Sequence, residues 1–263
     1  MNSSIGQVIA LTTFANAALC GRRVPFDFDS NPWFAHCRYL CFQVGEDSSH
    51  LLAQNVESWL DYLVQTGFTR AYLWFEPLNL SSGMQDIQML VFAGNSRWAP
   101  VTCLPDLEIL WHERFQLDKE DKDKPWMLTR AGFRVMPGQS SLTSTVSEAA
   151  AELRTSLDEM TTFQRRHRPD EPFDKMFDTG LQILDGTQRW ADRVASAFPP
   201  DIYPDESLRL VGAVEAAWTL GGMGWWNDWS NKESAIQAEF EEITKRYYVT
   251  MGKALFAACN VTL

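Results

Sequence analysis

The sequence predicts an α+β fold on three observations. Apolar residues recur at three- and four-residue intervals near the N-terminus and again through residues 139–263. Between residues 68 and 135 the period falls to two, in segments rich in aromatic and aliphatic side chains. Capping and turn residues sit where one pattern gives way to the next. The expected plan is a helix-and-sheet portion over residues 1–138, with a mainly antiparallel sheet of about four strands, and a helical portion of about five helices over residues 139–263. The link Pro137-Gly138-Gln139-Ser140-Ser141 reads as a turn rather than a tether, so the two portions are expected to pack as one body.

The first helix is expected from Ser3 or Ser4 as cap to Gly21 as stop, with Ile5, Val8, Ile9, Phe14, Ala15, Ala18 and Leu19 mostly on one face. Residues 24–38 carry Phe26, Phe28, Trp33 and Phe34 among prolines and aspartates, which suggests a packed loop or short strand. A second helix is expected from Ser48 or Ser49 to Gly67, on the spacing of Leu52, Val56, Trp59, Leu60, Leu63 and Val64.

Four strands follow: Phe68–Phe75, Ile87–Phe92, Leu107–Phe115 and Trp126–Val135. The alternating charges from Asp118 to Lys124 fit a solvated hairpin tip. Beyond Pro137-Gly138, Thr145-x-x-Glu148 has the form of a capping box before Val146, Ala150, Leu153, Leu157 and Met160. Phe173, Phe177, Leu181 and Leu184 make the next stripe, ending at Gly186. Trp190, Val194 and Phe198 fit a third helix stopped by Pro199-Pro200, and a fourth spans Asp205–Leu220. The longest helix runs through Ile236, Phe240, Ile243, Tyr247, Leu255 and Ala258, behind a second box at Ser230-x-x-Glu233.

Composition narrows the function classes. A chain of 263 residues with 45% hydrophobic and 22% charged side chains can bury a sizeable core, which argues against disorder. The 34 acidic against 23 basic residues give a net charge of −11, which repels nucleic acid and anionic membrane and favours a cationic partner. No run is long and apolar enough for a membrane span, and the N-terminus lacks the basic start and small-residue cleavage box of a secretory signal. Five cysteines, an odd number, suggest reduced thiols and a cytoplasmic location.

Candidates for chemistry are few. His36, Cys37, Cys41 and His50 are the one local grouping of soft ligands, but their spacing is not that of a zinc knuckle, and two buried cysteines on one side of a short helix explain it as well. The same residues could supply a thiol nucleophile and its base only if the fold assembled them. No nucleophile elbow, P-loop or dinucleotide fingerprint is present, and no cofactor is expected. The basic run Gln164-Arg165-Arg166-His167-Arg168 fits a helix C-terminus, where cations complement the dipole.

The stretch Gly221-Gly222-Met223-Gly224-Trp225-Trp226-Asn227-Asp228-Trp229 puts three glycines and three tryptophans between two helical patterns. Its glycines explain a turn. Its tryptophans fit either a core plug or an exposed anchor for a partner. Trp218-x-x-Gly221-Gly222-Met223-Gly224-x-Trp226-Asn227-Asp228, with Tyr247-Tyr248 and Asn260 beyond it, resembles the C-terminal ends of small bacterial proteins, some associated with toxin neutralisation or defence loci. The resemblance is confined to this end of the chain and carries over no functional residue.

The sequence therefore points to a non-catalytic, acidic protein-binding module of the inhibitor or immunity type. It would meet a basic protein through Met223, Trp225, Trp226, Asp228 and Trp229. An enzyme using the Cys/His group, and a small-ligand sensor with its pocket between sheet and helices, stay open beside it.

Overall fold

The computed structural model describes residues 1–44, 50–75, 98–135, 144–221, 225–261 and 263. Among these lie six strands: β1 (Cys37–Val44), β2 (His50–Ala53), β3 (Arg70–Phe75), β4 (Trp98–Leu104), β5 (Leu107–Leu117) and β6 (Trp126–Val135). The seven α-helices are α1 (Ser3–Leu19), α2 (Val56–Thr66), α3 (Val146–His167), α4 (Phe173–Leu184), α5 (Asp192–Ala195), α6 (Asp205–Ala216) and α7 (Ser234–Cys259). The class is α+β, but the sheet is six-stranded and mixed, in the order β2-β1-β6-β5-β4-β3 with β1 and β6 parallel. The expected strand Ile87–Phe92 lies outside the described residues.

Helix α1 is the centre of the molecule. Its cap is Asn2, whose Oδ1 accepts the Ile5 N–H at 3.1 Å, rather than Ser3 or Ser4. Every residue from Ile5 to Ala18 is buried, so the expected one-sided stripe is a helix enclosed all round. The sheet lies on one side through β3 and β4, and α2, α7 and the turn Pro32–Phe34 close the rest. Enclosure requires partners for the polar side chains of α1. Thr13 Oγ1 donates to the Ala197 carbonyl at 2.6 Å, and Gln7 Nε2 donates to the Trp33 carbonyl at 2.8 Å. One continuous apolar cluster runs from Ile5 through Trp59 and Trp111 to Leu153, Phe240 and Cys259, so both portions of the chain contribute to it.

Edge strand β3 is closed by two asparagines. Asn16 Oδ1 accepts the Ala71 N–H at 2.8 Å. Asn260, at the C-terminus of α7, accepts the Leu73 N–H at 2.7 Å and donates to the Leu73 carbonyl at 3.1 Å. Side-chain amides thus stand in for a further strand and block edge-to-edge pairing there.

Several expected boundaries move, each for a local reason. The helix expected from Ser48 or Ser49 is β2 followed by α2, because Asn55 Oδ1 takes the Ser58 N–H at 2.8 Å and starts the helix there; Gly67 at φ +84° ends it as expected. Strand β4 was not expected, since Pro100 interrupts its pattern. The β4–β5 ladder stops at Val101, so the missing N–H is not needed by β5. The helix through Trp190 and Phe198 shrinks to α5, whose neighbourhood gives up its carbonyls: Arg193 to Trp33 Nε1 (2.7 Å), Ser196 to Asn31 (2.9 Å) and Ala197 to Thr13. Helix α6 ends at Ala216 rather than Leu220. Thr145 and Glu148 form their capping box, whereas Ser230 and Glu233 do not; Asn231 accepts the Glu233 N–H at 2.8 Å instead.

Candidate functional site

The tryptophan loop is largely a structural plug. Trp226 is fully buried, its Nε1 donating to Thr244 Oγ1 at 2.8 Å and its ring meeting Phe173 and Phe177 edge to face. Asn227 clasps the Gly221 peptide, accepting its N–H at 2.9 Å and donating to its carbonyl at 3.1 Å. Trp229 is half-buried against Phe163 and Phe240. Asp228 is exposed, and Trp225 is 39% exposed. Gly221 is required beneath Trp225, because a Cβ there would fall 2.8 Å from its ring. Met223 lies outside the described residues.

The basic run at the end of α3 explains why the plug holds. The Arg168 guanidinium is buried within 4.6 Å of the Trp226 ring centre, 5.1 Å of Phe173, 5.3 Å of Trp229 and 5.9 Å of Phe240. Burial works against its charge, and an ion pair with Glu171 supports it. Arg168 Nη1 also donates to the Trp226 carbonyl at 3.2 Å. Four aromatic faces around one cation tie the loop to α3 and α4. Arg165 pairs with Asp178 at 3.5 Å and Arg166 with Glu239 at 3.8 Å, so the run is matched by local carboxylates.

The four Cys/His residues are not brought together as one group, although His36 and Cys37 line the same cavity. Cys37 and Cys41 lie on a strand rather than a helix. A register shift after Cys37 puts it with Leu40 and Phe42 on the helix-covered face, where Gln7 Nε2 reaches its Sγ at 3.4 Å. Cys41 turns to the other face and contacts Thr129 Oγ1 at 3.4 Å. His36 precedes β1, and His50 opens β2. Among the described residues no three His, Cys, Asp or Glu side chains are arranged to hold a metal ion. Burial pushes the Cys37 thiol up to about 11, with the nearby Glu113 adding to the effect, which is opposite to what a thiolate nucleophile needs.

The site with free capacity lies at the open end of the helix-covered sheet face. Strands β5 and β6 pair Glu113 with Arg130, Phe115 with Leu128 and Leu117 with Trp126, and all six side chains share that face. Helix α1 begins level with the first pair, since Ser4 Oγ donates to both Glu113 oxygens at 2.9 and 3.0 Å. Beyond that level no part of α1 remains to cover the sheet. Phe115 is 55% exposed, Leu117 46% and Trp126 37%, and the Phe115 and Trp126 rings meet edge to face at 5.5 Å.

Between this ledge and α1 opens a cavity of about 220 Å³. Its lining combines the exposed Ser3, His36, Phe115 and Trp126 with the buried Gln7, Trp33, Cys37 and Leu128, and with Ser4 and Glu113 between them. Glu113 is ion-paired with the fully buried Arg130. Gln7 is buried, and its Oε1 has no hydrogen-bond partner among the described residues. The site is hidden in the sequence because its members come from α1, the segment before β1, and two strand ends. The available signal was the unbroken apolar face of Phe115, Leu117 and Trp126 beyond the polar start of α1. Comparison with protein-family models, curated proteins and solved structures gives no match.

Two predictions follow from these placements. Trp226→Ala should lower unfolding free energy in urea by about 3–5 kcal/mol, while Trp225→Ala changes it by less than about 1 kcal/mol; equal effects would contradict the plug. For Cys37, the folded pKa of about 11 exceeds the unfolded value of about 8.5, so its contribution to stability is complete below pH ~8.5 and is lost as pH rises through 11. Thiol labelling of the native chain at pH 8 should therefore modify exposed Cys20 and spare Cys37; rapid Cys37 modification would contradict its neutral burial.

Proposed function

We propose that this protein is a non-catalytic binding module of the inhibitor or immunity type, which docks a basic protein partner through the Phe115–Leu117–Trp126 ledge. The observation that carries the reading is this group of three large apolar side chains, left uncovered on adjacent strand ends beside a cavity sized for one side chain. Single exposed hydrophobes are ordinary, but a contiguous aromatic group next to a pocket is what an interface anchor requires. A cavity of about 220 Å³ falls below the roughly 300–1,000 Å³ of pockets that enclose a whole small ligand. At this cavity, size therefore favours one inserted residue of a larger partner over a whole small ligand.

Charge supplies the partner's sign. At −11 the chain attracts a cationic surface and repels nucleic acid, and this attraction acts on association rate more than on final affinity. Among the described residues no helix is long and apolar enough to cross a membrane. The separation of Cys41 and His50 from His36 and Cys37 weighs against a metal site built from the four, and the raised pKa of the Cys37 thiol weighs against a thiolate nucleophile there. Trp225 and Asp228 offer a smaller contact, because Trp226 is committed to the core.

The test is quantitative capture from the source cells with the tagged chain, followed by binding measurements on the purified partner. Phe115→Ala with Trp126→Ala should weaken binding by at least about 2 kcal/mol, roughly thirtyfold, and binding should weaken further as salt is raised. Trp225→Ala should change it less than threefold. If the Trp225 variant loses binding and the ledge variant keeps it, the loop rather than the ledge is the contact.

A further inference from the structure

Resting on the docking reading, we propose the form of the partner's contact: an extended strand that adds to the open edge of β5 beside the ledge. Strand β4 pairs with β5 only from Leu107 to Leu110, whereas β6 accompanies β5 as far as Leu117. On the side away from β6, the rest of β5 has no strand neighbour among the described residues. The Asp118 N–H donates to the Pro125 carbonyl at 2.7 Å, which fixes the alternation along this antiparallel pair. Gln116 and Arg114 face β6 in the same way, so Glu113, Phe115 and Leu117 turn their N–H and C=O groups to the open side. His112 Nδ1 lies 3.2 Å from the Glu113 carbonyl. The backbone of Phe115 and Leu117 receives no hydrogen bond on that side from the described residues.

That row of backbone groups selects its occupant. Donors and acceptors repeating at every second residue are matched by another extended chain, since a helix uses its own backbone groups internally. The β3 edge is closed by Asn16 and Asn260, so an open edge is not the general state of this sheet. A strand bonded opposite Phe115 and Leu117 places the side chains of its bonded residues on the ledge face, against Phe115 and Trp126. Those positions suit apolar residues. The residues between them fall on the opposite face with Arg114 and Gln116, which suits uncharged polar side chains. The partner's cations then flank the strand, where the net charge acts through water. A second copy of this chain is the weaker source, because two molecules at −11 repel each other.

The experiment titrates the full chain, followed by NMR, with a synthetic peptide of alternating valine and threonine flanked by lysines. The peptide should bind and, at saturation, slow amide exchange of Phe115 and Leu117 at least about tenfold. N-methylation of its valine amides should weaken binding about tenfold, and N-methylation of its threonine amides less than about threefold. Leu117→Pro and Leu117→Ala both remove the leucine side chain, but only proline removes the N–H. The proline variant should therefore bind the peptide about tenfold more weakly than the alanine variant. Its urea midpoint should match, because that N–H serves no bond within the fold; if proline unfolds the chain, exchange and methylation decide alone. Absence of peptide binding, equal effects of the two methylations, or unprotected Phe115 and Leu117 amides would each overturn the proposal. Protection that rises with the concentration of the chain alone would overturn it too, by assigning the edge to a second copy. A captured partner that needs the ledge but leaves both amides unprotected would sink this inference alone; peptide addition at β5 in a chain whose captured partners ignore the ledge would sink the docking reading instead.

Discussion

The enclosure of α1 sets the terms for the rest of the molecule. A helix with fourteen successive buried residues has no wet side, so each polar group on it must be answered from within the protein. Those answers tie distant segments together: Thr13 holds the chain after α5, Asn16 closes the β3 edge, and Gln7 fixes the turn at Trp33. The same constraint creates the candidate site. The helix begins at Ser3, level with Glu113, while the β5–β6 hairpin runs on, so the sheet's apolar face emerges from under its cover as Phe115, Leu117 and Trp126. Helix length against strand length decides where apolar surface remains free.

A second buried cation organises the other half. Arg168 brings the end of α3, the start of α4, the tryptophan loop and α7 to one point, through aromatic faces and the Trp226 carbonyl. An aromatic cluster alone would pack in several ways. A guanidinium with fixed donor directions selects one of them. The loop that looked in sequence like a display of tryptophans is therefore mostly an internal joint, with Trp225 left outside.

What the sequence revealed follows from how local each signal is. Strand β6 and the helices α3 and α4 were legible because periodicity and caps, such as Thr145 with Glu148, lie within the element itself. Strands β1 and β4 were not: CRYLCFQV mixes both faces around a register shift, and Pro100 breaks the pattern of WAPVTCL. Helix α5 was overestimated because its carbonyls are taken by side chains more than a hundred residues away, which no local pattern records. The candidate site was hidden for the same reason. Glu113, Arg130 and Ser4 mean little in sequence and become one group only through the pairing of β5 with β6 and the start of α1.

The sheet outruns α1, and the aromatic ledge this leaves is the proposed contact for a partner. Hydroxyl-radical footprinting of the chain, alone and bound to its captured partner, tests it most directly. Phe115 and Trp126 should be oxidised in the free protein and protected in the complex, with the fully buried Trp226 and Trp59 unlabelled in both. Trp126 unreactive in the free chain, or equally reactive in the complex, would contradict it.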